Sequence, residues 1–122
     1  MRTLAFASAA LVTGCMSMST PESKLSPSEQ RAFAAGVARM CDVDRQGGLT
    51  TDADPLTLGQ RRTAWIADHV ESPDVIELRT LMSVKGAADQ ACMLRDKAAE
   101  LGVLRCPLAD TLAKTGEGGL SP

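Results

Sequence analysis

The chain has no tyrosine, two phenylalanines and one tryptophan in 122 residues. So few aromatics argue against an aromatic-rich β-sandwich and against a platform on which nucleobases could stack. Neither sign of charge dominates: 13 basic residues stand against 15 acidic ones, well mixed, for a formal net charge of −2. A basic nucleic-acid surface is therefore not expected. Histidine occurs once, at position 69, and the chain contains neither CxxC nor CxxCH, the local signatures of a thioredoxin-type redox pair and of c-type haem attachment. No segment alternates apolar and polar residues with the period of a strand, and no apolar run approaches the length of a membrane span. What is present, 44% apolar and 23% charged residues, suits a folded chain with one modest core.

The amino-terminal region has the layout of an export signal. Arg2 supplies one positive charge, and Leu4 to Val12 is almost wholly apolar or small. Nine helical residues rise about 14 Å, roughly half a bilayer core, so the stretch is too short to span. A basic start, a short apolar segment and small residues before a cut describe a secretory signal. Its end, Leu11-Val12-Thr13-Gly14-Cys15, resembles the bacterial lipobox. The resemblance implies cleavage after Gly14, with residues 1–14 removed, and a diacylglycerol on Cys15, usually with a further acyl chain on the new amine. One acyl chain holds a protein only weakly, whereas two or three on one residue anchor it stably. Met rather than Asp at position 16 implies, by the sorting of such lipoproteins in cells with two membranes, the outer membrane. The implied partner is thus the lipid bilayer, through acylated Cys15.

Beyond the lipobox, residues 15–25 are polar and rich in Ser and Thr, and read as a flexible tether. Residues 26–114 form the expected helical domain, and the Gly-rich residues 115–122 read as a disordered tail. Ser26-Pro27-Ser28-Glu29 is a helix start with a capping box, followed by Phe33, Val37, Met40 and Cys41 at helical spacing, and this helix should end near residues 42–45, before Gly47-Gly48. Asp54-Pro55 or Thr57-x-x-Gln60 starts a second helix, with Leu58, Arg62, Trp65, Ile66 and His69 along one stripe. Ser72-Pro73-Asp74 starts a third, burying Val75, Leu78, Leu81 and Met82. Lys85-Gly86 ends or kinks it. The chain resumes from Ala87 to Leu101 with Ala88, Cys92, Arg95 and Ala99 on one side, and Gly102 closes it. Cys106-Pro107 opens a last helix carrying Leu108 and Leu112. The expected fold is all-α, a small bundle of four or five helices with one disulfide.

With Cys15 committed to lipid, Cys41, Cys92 and Cys106 remain. Exported proteins meet oxidising conditions, so two of the three should pair. Cys41–Cys106 is favoured, because Cys106 lies at a loop-to-helix junction and Cys92 could serve as a small core hydrophobe. Cys41–Cys92 is the alternative. The first pairing closes a loop of about 66 residues and would contribute about 4 kcal/mol in the chain-entropy model. A thiolate at Cys106, favoured by the helix dipole, is the functional alternative to a staple.

Residues 42–54 resemble an EF-hand loop between two helices, with Asp42 and Asp44 at ligand positions one and three. Gln46 stands at five, Gly47 at the turn and Thr50 at nine. The bidentate Glu of position twelve is replaced by Ala53, and there is no second loop to pair with. Weak calcium binding through Asp42, Asp44, Gln46 and Thr50 is the alternative function. The other interpretation is a solvated helix end with a Gly-Gly turn.

No Ser, His and Asp or Cys and His arrangement suggests catalysis, so a non-enzymatic protein without cofactor is expected. Arg62 and Arg95 border apolar stripes and could lock helices together or meet a partner's carboxylate. Met40-Cys41-Asp42 and Cys106-Pro107-Leu108-Ala109-Asp110 resemble small secreted helical bacterial proteins, a resemblance that implies no activity. The expected role is a membrane-anchored lipoprotein with a binding or structural domain in the cell envelope, possessing a protein partner there and none among nucleic acids.

Overall fold

A computed structural model describes residues 25–50 and 52–122. The leader, Cys15 and most of the expected tether lie outside the described residues. Among the described residues six helices follow in order: α1 (Pro27–Cys41), α2 (Val43–Gln46), α3 (Pro55–His69), α4 (Pro73–Ser83), α5 (Ala87–Glu100) and α6 (Pro107–Thr115). Among the described residues there is no strand, and the domain is all-α. The single-turn α2 and the full break at Gly86 raise the number of helices above the four or five expected.

Helix ends follow the local chemistry of the sequence. The Ser26 hydroxyl accepts from the Glu29 amide at 3.2 Å and donates to the Glu29 carboxylate at 3.0 Å, so the N-cap half of the expected capping box forms and Glu29 bonds to the capping hydroxyl, with Pro27 preset for the first turn. The Asp54 carboxylate accepts from the Thr57 amide at 3.2 Å at the start of α3. Helix α5 ends in a Schellman turn. Gly102 takes a φ of 76°, the Val103 amide donates to the Ala98 carbonyl at 2.8 Å, and the Gly102 amide donates to Ala99 at 3.2 Å.

The core is built from Phe33, Val37 and Met40 of α1, Ile66 of α3, and Val75, Leu78 and Met82 of α4, with Ala91, Leu94 and Ala98 of α5 and Leu108 and Leu112 of α6. Helices α5 and α6 pack most extensively, and α1 lies against α4, α5 and α6. Gly36 sets the approach of α1 to α4: a Cβ there would come within 2.5 Å of Val75 Cγ2 and 3.1 Å of Val70 Cγ1. The Cys41–Cys106 disulfide spans a sequence separation of 65, with the two Cα atoms 4.5 Å apart. It joins the end of α1 to the start of α6.

Three expectations are corrected. Leu81 is 40% exposed, while its neighbour Met82 is fully buried. On α5 the inward stripe is Gln90, Ala91, Leu94 and Ala98, so Ala88, Arg95 and Ala99 face outward and Cys92 is half-buried at the edge. The inward stripe is rotated by about one residue, roughly 100° around the helix, from the expected one, and it includes the polar Gln90. The third correction concerns the tail. Leu120 is buried to 3% exposure within the core cluster, and residues 118–121 hydrogen-bond to α3 and α5. The segment is a seated strap.

Candidate functional site

The strap is held by side chains that the helices aim inward. Arg62, at the middle of α3, is fully buried. Its Nε donates to Asp44 Oδ1 at 2.7 Å and its Nη2 to Asp44 Oδ2 at 2.6 Å, a two-pronged pairing that ties α3 to α2. The remaining Nη1 donates to the Gly118 carbonyl at 2.7 Å. A buried guanidinium is tolerated only when its donors are met, and here the carboxylate takes one edge and the strap backbone the other.

Gln90, on the inner face of α5, reads the strap at both ends of one residue. Its Nε2 donates to the Leu120 carbonyl at 3.1 Å and its Oε1 accepts from the Leu120 amide at 2.7 Å. The same Nε2 also donates to the Lys85 carbonyl at 2.9 Å, which fixes the orientation of the side-chain amide. On α3 the Thr63 hydroxyl accepts from the Ser121 amide at 2.9 Å and donates to the Gly59 carbonyl, also at 2.9 Å. The strap thus bridges α3 and α5 through its main chain, with Leu120 as its apolar anchor.

Glycines make room for this seat. A Cβ on Gly59 would run into the Gly119 carbonyl oxygen, a Cβ on Gly118 would meet Arg62 Nη1 at 2.8 Å, and one on Gly119 would meet Gln90 Oε1 at 2.9 Å. Gly118 also has a φ of 76°, a backbone conformation that glycine adopts without penalty. Beside the strap lies a cleft of about 150 Å³, bordered by Pro55, Leu58, Thr111 and Thr115, with Glu117 and Gly118 as one wall. It is smaller than the pockets of about 300 Å³ and more that enclose organic ligands.

The residues expected to bind calcium have other partners. The Asp42 carboxylate receives Arg45 on both oxygens and Gln46 Nε2 at 3.1 Å, so Gln46 turns its donor, not its carbonyl oxygen, toward Asp42. The Arg45 hydrogen bonds, then that from Gln46, hold the Asp42 carboxyl below its ordinary value of 3.8. Asp44 is engaged by Arg62, and Thr50 is exposed. Among the described residues no group of three or more His, Cys, Asp or Glu side chains is placed to hold a metal ion.

Cys106 is bonded to Cys41, which removes it as a reactive thiolate, and among the described residues no cysteine is a free thiol. His69 stacks on Trp65 with ring centroids 4.3 Å apart, and its Nδ1 donates to the Trp65 carbonyl at 2.8 Å. The His69 carbonyl accepts from Arg39 Nη1 at 3.1 Å, tying the end of α3 to α1. Of the two arginines singled out, Arg62 locks helices from within, while Arg95 is 56% exposed and reaches Asp110 at 3.1 Å. Gln90 and the strap were missed. The available signal was Gln90 four residues before Leu94 and eight before Ala98, in register with the apolar stripe.

Compared with family models, curated proteins and solved structures, the chain matches none.

Proposed function

We propose that this protein is a lipoprotein, anchored through acylated Cys15 to the outer membrane of its cell, whose helical domain acts as a binding or structural module in the envelope. The observation that carries this is the run Leu11-Val12-Thr13-Gly14-Cys15 at the end of a short, singly charged apolar leader. One feature supports it: the Cys41–Cys106 disulfide suits an oxidising compartment. Among the described residues no helix is long and apolar enough to cross a membrane.

Metabolic labelling with a radioactive fatty acid tests the proposal. Label should enter the wild-type protein and be abolished by Cys15→Ser. Label that survives this substitution refutes the anchor. So does a peptide map of the native, non-reduced protein in which Cys15 is disulfide-bonded, to Cys92 for example, instead of acylated.

A further inference from the structure

The seat of the strap has the properties of a peptide-recognition site that happens to be filled by its own chain. Its contacts to residues 118, 120 and 121 go to main-chain atoms: the Gly118 carbonyl, both polar groups of Leu120 and the Ser121 amide. Binding of extended peptides commonly works this way, with main-chain hydrogen bonds giving affinity and side-chain pockets giving specificity. Specificity here is readable from the crowding. A side chain at 118 or 119 would displace the Arg62 or Gln90 groups that bind the strap, and an aliphatic one is buried at 120. The groups that do the binding are themselves fixed without the strap, Arg62 by Asp44 and the Gln90 amide by Lys85. An empty seat would leave Arg62 Nη1 and Gln90 Oε1 without these partners, so the site favours an occupant.

We propose that the seat formed by Gly59, Arg62, Thr63 and Gln90 is a recognition site for a Gly-Gly-Leu segment. The partner it takes in trans is the same segment, Gly118–Leu120, of a second copy of this chain. The sequence demanded at each position is present in that second copy, so an exchanged strap would remake every contact that it breaks, which is why such exchange is a low-cost route to a dimer. The hinge is built for it. Gly116 follows α6 with a φ of 67°, and only the exposed Glu117 separates it from Gly118, so the strap can leave α6 without unwinding a helix. This inference does not depend on lipid attachment.

Complementation of two full-length variants tests it. Leu120→Asp spoils the strap and leaves its seat open. Gly59→Val blocks the seat and leaves its strap intact. Each variant alone should sediment as a monomer, and an equimolar mixture should give a species of twice that mass containing one of each. A mixture that stays monomeric, with both variants retaining their helical circular dichroism, overturns the proposal. Should either variant lose that signal, full-length Leu120→Ala serves as the acceptor for a fluorescent peptide of residues 115–122. Saturable binding that is at least tenfold weaker for the peptide carrying Leu120→Asp supports the site. Absent binding, or equal binding of the two peptides, overturns it.

Discussion

Replacing Asp44 by Ala should destabilise the domain out of proportion to the position of Asp44 at the surface. The Asp44 side chain is 26% exposed, whereas the Arg62 side chain that it neutralises is fully buried. Removing one member of a buried ion pair leaves the other charged and unpaired, at a cost of about 3–5 kcal/mol. Water can enter where the Asp44 carboxylate was, since that side of the pair is partly open, and the cost falls to about 2–3 kcal/mol. For a domain of this size each kcal/mol moves the melting temperature by about 4–8 °C, so a fall of about 10–20 °C is expected. Thermal unfolding followed by circular dichroism measures it. Adding Arg62→Met to Asp44→Ala should recover part of the loss, because the stranded charge goes with it, although the Gly118 carbonyl then loses its donor. A melting temperature for Asp44→Ala within about 2 °C of the parent, or a double variant less stable by the full sum of the single losses, would refute the argument that Arg62 depends on Asp44.

Removing the disulfide with Cys41→Ala and Cys106→Ala together should cost about 4 kcal/mol, seen as a lower midpoint in urea, because the crosslink restrains a long loop in the unfolded chain. Gly36→Ala should destabilise by about 1–2 kcal/mol despite the gain in helix propensity, since Val75 is fully buried and cannot retreat from the new Cβ; a stabilised variant would show that α1 and α4 can separate freely. The Asp42 carboxyl should titrate below 3.8 by NMR and move upward in Arg45→Ala. With the folded value depressed, its contribution to stability is full above the unfolded value and is lost as pH falls through the folded one, so Arg45→Ala should flatten the acid limb of the stability profile.

The helices were legible because their ends are written locally. Ser26, Asp54 and Gly102 cap or terminate through atoms within a few residues of themselves, and no tertiary knowledge is needed to place them. The pairing of Cys41 with Cys106 was favoured on similar grounds, from the place of each in its helix. The candidate site was less legible. The stripe through Arg62 suggested an acidic partner, but nothing local names Asp44, which lies across a turn and a helix start. The sequence from Thr115 onward has the glycine content of a disordered end, and glycine there serves the opposite purpose. It lets the main chain come close enough to Arg62 and Gln90 for direct hydrogen bonds. Composition reports the flexibility of an isolated segment and is blind to a seat assembled from two helices far away in the chain. The EF-hand resemblance failed to mature into a ligand set for a related reason: Asp44 is turned toward α3 and Asp42 toward its own helix, by arginines the loop pattern does not weigh.

The position of the strap in the chain also bears on the order of assembly. Residues 118–121 lie C-terminal to every helix of the described residues, yet Arg62 and Gln90 need them to complete their bonding. The inner faces of α3 and α5 are therefore left unfinished until the strap is in place. Closure of the domain waits on the seating of this one short segment and not on helix formation alone.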